Sequence, residues 1–165
     1  MDGLEVDSFY FDYLDPRKIV YSPQEIKWIL YHSRDLREGH WPMPDPCEST
    51  GGVPSGHANF ETACLVIAEV DDRLADCDDD GLIVKAYYSD HDHDDGISKN
   101  RYVCQYYHID SRRLNQVIGR CLYYVSGQRK PFWFDEYVSL VESGIRYRDA
   151  ANILTGVISL HRGLA

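Results

Sequence analysis

Ser111, Arg112, Asn115 and Gln116 carry side chains that can read nucleotide bases. An arginine fork matches the O6/N7 edge of guanine, and the amide of Asn or Gln matches the N6/N7 edge of adenine. Their spacing puts them on one side of a helix, toward its start. Six cationic residues flank them: Lys99, Arg101, Arg113, Arg120, Arg129 and Lys130. Such groups hold phosphates, which fixes register and makes affinity fall with salt. Gly119, on the same outer face, would permit close approach to a ligand.

Two other clusters invite a metal test. Residues 76–81 (DCDDDG) have the D-x-D-x-D-G opening of a calcium loop. The closing position, which requires a bidentate glutamate, is Tyr87, so the run reads as an acidic interhelical loop. Residues 90–95 alternate Asp and His (DHDHDD). A zinc hydrolase signature would need a histidine where Gly96 stands, so a solvated loop is expected. No nucleophile–base spacing or phosphate-cradling glycine loop is evident. Neither a metal, a cofactor nor an enzyme is expected.

The base-reading set needs a helix to carry it. Leu114, Val117, Ile118, Cys121, Leu122 and Val125 recur at helical spacing and form a continuous apolar stripe,. Asp110 suits the N-cap. Before it, Val103, Cys104 and Tyr107 suit the inner face of a shorter helix that ends in a turn at Tyr107, His108 and Ile109. Short helix, tight turn and longer amphipathic helix make a helix-turn-helix across 97–126.

Residues 103–122, VCQYYHIDSRRLNQVIGRCL, resemble the helix-turn-helix of sigma-factor region 4 and of sigma-like bacteriophage regulators. Val103 falls at the apolar position of the first helix, Ile109 at the apolar residue of the turn, and Asp110 at the N-cap. Leu114, Val117 and Ile118 fall on buried positions of the recognition helix. The preceding residues 81–102 are similar to the supporting helix and loop. Tyr106, Tyr107 and Cys104 depart from the pattern, which has smaller or charged residues there. The resemblance implies that Ser111, Arg112, Asn115 and Gln116 face the major groove. It also implies a setting among small phage late-gene regulators, Q-type antiterminators included, which contact RNA polymerase.

Around this unit the chain reads as all-α. Ser22, Pro23 and Glu25 form a helix start with a capping box, and that helix should run to about Glu38 with Gly39 as its stop. Further helices are expected over 58–76, 82–88, 132–143 and 146–160. Residues 40–57, rich in proline and glycine, make a loop. Three parts follow: an acidic, aromatic arm with a helix and loop (1–57), a helical core with the helix-turn-helix (58–130), and C-terminal helices for packing or oligomerisation (131–165).

The net charge of −10 argues against nucleic acid, but it is unevenly spread,. Residues 1–100 hold 8 Lys/Arg against 22 Asp/Glu, whereas residues 101–165 hold 9 against 5. The sign reverses at the helix-turn-helix, which suggests a basic binding face beside a partner-recruiting acidic part. The five cysteines show no Cys-x-x-Cys spacing and read as reduced thiols,. The amino terminus lacks a signal-peptide core, and no apolar run approaches membrane-spanning length. A cytoplasmic protein with no membrane partner is expected.

The function expected is a DNA-binding transcription regulator of phage type. Its partners would be double-stranded DNA, RNA polymerase or another protein, and a second copy of itself. A DNA-packaging protein of small-terminase type, or an acidic adaptor that binds no DNA, are the alternatives.

Overall fold

A computed structural model describes residues 18–42, 56–89 and 95–156, with the backbone alone for 56–62. Among them are eight α-helices and no strand, so the all-α reading holds. Outside the described residues lie the arm (1–17), most of the Pro/Gly-rich loop (43–55), the Asp/His loop (90–94) and the end of the last expected helix (157–165).

Helix α1 spans Pro23–Tyr31. Its capping box forms as the sequence predicts: Ser22 Oγ accepts from Glu25 N–H at 3.1 Å, and Ser22 N–H donates to Glu25 Oε1 at 3.3 Å. The expected single helix to Glu38 is broken at His32 (φ −97°, ψ 18°), and α2 follows over Ser33–Arg37. The His32 ring packs on Trp28 and Tyr31 at this bend, which turns Leu36 into the core. Gly39, at φ 78°, ends the unit.

Helix α3 (Gly56–Ala75) is followed almost at once by α4 (Asp78–Ser89). The acidic loop expected at 76–81 is therefore mostly helix. Asp78, Asp79 and Asp80 occupy the first turn of α4, where carboxylates suit the helix dipole,. The connection is tight because Gly81 lies on the end of α3: a Cβ there would stand 1.9 Å from Leu74 O. Helices α5 (Gly96–Tyr107), α6 (Ser111–Val125), α7 (Phe134–Glu142) and α8 (Tyr147–Thr155) complete the order.

Two apolar clusters hold these helices. The larger takes Ile26, Leu30 and Leu36 from α1 and α2, Val70 and Leu74 from α3, Cys121 and Val125 from α6, Tyr137 from α7 and Ala150 from α8. All three sequence segments thus contribute to one core. The smaller cluster joins Ile83 of α4, Val103 of α5, and Leu114 and Val117 of α6. Each buried aliphatic side chain of this kind contributes ~1.5–3 kcal/mol. The first half of α6 packs on α4 and α5, its second half enters the main core, and Ile118 touches both clusters.

The N-terminal segment is tied to the end of α6. Tyr21 and Gly127 exchange backbone hydrogen bonds at 3.2 and 2.7 Å in an isolated antiparallel bridge. Beneath it lies Arg73 of α3, 1% exposed. Its guanidinium donates to the carbonyls of Ile19, Val125 and Gly127 and to Glu69 Oε1. No described helix is long and apolar enough to cross a membrane. The four described cysteines are free thiols, Cys77 and Cys121 buried, Cys64 and Cys104 half-buried.

Candidate nucleic-acid interface

The turn between α5 and α6 is set by two local features. His108 closes α5 in the left-handed conformation (φ 55°, ψ 45°), and the Ile109 N–H reaches back to Cys104 O at 3.0 Å. Asp110 then caps α6: its carboxylate accepts from the Arg113 backbone N–H at 2.7 Å. Of the expected turn at Tyr107, His108 and Ile109, Tyr107 is the last residue of α5 and only His108 and Ile109 lie between the helices, with Asp110 at the expected N-cap. Val103, Leu114 and Val117 lock the two helices together beneath it, with Ile83 of α4 as the third support.

That packing leaves Ser111, Arg112, Asn115 and Gln116 exposed on the first two turns of α6. Arg112 has no carboxylate partner among the described residues. Arg101 is exposed on the outer side of α5, and Lys99, half-exposed, sets its ammonium 5.0 Å from the Tyr87 ring centroid. Neither α5 nor α6 contains a single Asp or Glu, while together they carry Lys99, Arg101, Arg112, Arg113 and Arg120.

Four of the outer-face expectations are corrected. Arg120 is 4% exposed rather than facing solvent. It binds the Asp80 carboxylate through Nε and Nη2 and donates from Nη1 to Glu142 Oε1 at 2.8 Å. Arg120 lies three residues beyond Val117, on the edge of the apolar stripe, so the helix turns it inward once α4 supplies Asp80. Burial disfavours its charge, yet the two carboxylates hold its pKa above the ordinary arginine value. Gly119 faces α8 rather than a ligand: a Cβ there would meet the Tyr147 hydroxyl at 2.7 Å. Arg129 pairs with Asp76 at 3.1 Å and lies 3.9 Å from Glu69. Lys130 Nζ donates to the carbonyls of Ser126 and Gln128, where burial pushes its pKa down to about 8. Both follow the last turn of α6, roughly 20 Å from its first turn at 1.5 Å per residue. Neither belongs to the end of α6 that carries Ser111, Arg112, Asn115 and Gln116.

Arg113 keeps a place at that end, 43% exposed, but it is engaged. Both its terminal nitrogens lie 3.2 Å from Glu142 Oε1. Glu142 is thus a member of the site that the sequence did not indicate. The usable signal is its position: an acid in the last turn of α7, where the helix dipole disfavours it, calls for a cation from elsewhere,. The hydrogen bonds from Arg120 and Arg113 hold its carboxyl below the ordinary glutamate value.

Compared with known proteins, the chain matches no family model, no curated protein and no solved structure.

Proposed function

We propose that this chain is a sequence-specific DNA-binding protein that reads the major groove with the first half of α6 and acts in transcription. The observation that carries the reading is the pair of packed helices without one acidic side chain, in a chain of net charge −10. Arg112 is assigned to a guanine edge and Asn115 and Gln116 to adenine edges, each good pair worth ~1–3 kcal/mol of discrimination. Lys99, Arg101 and Arg113 are assigned to phosphates. The acidic helices α3 and α4 then serve as the surface for a protein partner, RNA polymerase in the setting that the sigma-factor resemblance implies.

Selection of bound duplexes from a random pool at two salt concentrations tests this. A preferred site should emerge, with log K falling against log salt by about 0.9 for each phosphate held. Arg112→Ala with Gln116→Ala should abolish preference for the selected site while leaving the fold intact by circular dichroism. Wild-type preference in that double variant would refute the assignment. The chain's overall acidity favours one rival, an adaptor that binds a basic protein. It predicts no duplex binding even at low salt.

A further inference from the structure

Glu142 Oε1 is where three guanidinium nitrogens converge: Nη1 and Nη2 of Arg113 at 3.2 Å and Nη1 of Arg120 at 2.8 Å. Arginine forks from two positions aimed at a single oxyanion form the arrangement by which proteins hold phosphate. The present occupant is poorly placed by its own helix, since α7 ends there and its last turn holds no basic residue. Glu142 is therefore kept in position by the two arginines. It is also 48% exposed, so its side chain borders solvent. An open cleft of about 510 Å³, lined by Arg113, Gln116, Arg120, Val141, Glu142 and Tyr147, leads to this point. Gln116, assigned to a base edge, thus borders the same cleft. Arg120 keeps both its bonds to Asp80 if Glu142 departs, so the floor of the cleft stays anchored.

We propose that this cleft is a phosphate site in which Glu142 is the resident stand-in. A backbone phosphate of bound DNA takes the carboxylate's place on Arg113 and on the Nη1 edge of Arg120. The DNA reading supplies only the source of the phosphate; the site itself follows from the cleft and the arginines. Glu142 holds Arg113 in a ready orientation before DNA arrives. It also competes with phosphate, which weakens attachment to any duplex backbone.

Two measurements on the full chain test the proposal. In the first, inorganic phosphate is titrated into wild-type protein and Glu142→Gln while the guanidinium NMR signals of Arg113 and Arg120 are followed. The variant should show saturable shifts of both arginines at phosphate concentrations that leave wild type nearly unchanged. No shift in the variant, or shifts spread over other arginines alone, overturns the site. In the second, both proteins bind one duplex over a range of salt. Glu142→Gln should bind several-fold tighter at each salt concentration. Equal or weaker binding overturns Glu142 as competitor. If neither protein binds any duplex while phosphate still shifts Arg113 and Arg120, the DNA reading fails and the anion site stands. Should Glu142→Gln prove unstable, Glu142→Asp, whose shorter carboxylate loses its reach to Arg113, should move both readouts in the same direction.

Discussion

Arg120 shows how the same side chain changes meaning with its surroundings. On an exposed helix face it would be one more phosphate contact; beside Asp80 it becomes the bolt between α4 and α6. A buried ion pair is costly to break from one side, because the survivor keeps its charge without a partner. Asp80→Asn should therefore destabilise the protein by roughly 3–5 kcal/mol, tempered by the Glu142 bond that Arg120 retains. Asp80→Leu with Arg120→Met, which removes both charges, should cost much less in urea unfolding. A single variant as stable as wild type would mean that the pair contributes little. Acid should loosen the same cluster. Glu142 is held below the ordinary value of 4.5, so its contribution is present above that pH and is lost as pH falls through the lower folded value,. Glu142→Gln should remove that part of the acid sensitivity.

At the scale of elements, the apolar periods found most helices and the caps found several of their ends. Ser22 and Asp110 cap as expected, and the turn at His108 falls where Val103 and Leu114 require it. What the sequence concealed were the partners. Asp80 precedes Arg120 by forty residues, so nothing local distinguished the acidic run at 76–81 from an ordinary loop, or Arg120 from its outward-facing neighbours. The two glycines diverge for the same reason. Gly81 abuts the backbone of Leu74, which cannot yield, whereas Gly119 abuts the far end of the Tyr147 side chain, which can. Gly81→Ala should cost about 1–3 kcal/mol, the usual penalty of overpacking. Gly119→Ala should change stability little and leave duplex affinity unaltered. Lost affinity in Gly119→Ala would put that face back against DNA and contradict its cover by α8. The break at His32 had no signal in the period, because Leu30, Ser33 and Leu36 would also suit one continuous helix.

For the molecule as a whole, the contrast is between a narrow cationic end and a broadly acidic remainder. With residues 1–100 carrying 22 acids against 8 bases, the acid-free helices α5 and α6 offer, among the described residues, a shallow footprint for approach to a polyanion,. The latch at the far end of α6 has a different bearing, on the order in which the chain assembles. Helices α4, α5 and α6 are neighbours in sequence and can meet early, since short loops cost little entropy to close. The Tyr21–Gly127 bridge joins the segment before α1 to the end of α6, far apart in sequence, and should close last. Arg73 must then leave water. Glu69, one helical turn before it on α3 and 2.8 Å away, lets it travel as half of a neutral pair,. A step completed after the transition state is recorded in the rate of escape rather than of arrival. Arg73→Met should thus speed unfolding in stopped-flow experiments and leave refolding nearly unchanged. A slowed refolding limb would place the latch in the folding nucleus, so that the segment before α1 meets the end of α6 before α4, α5 and α6 have packed.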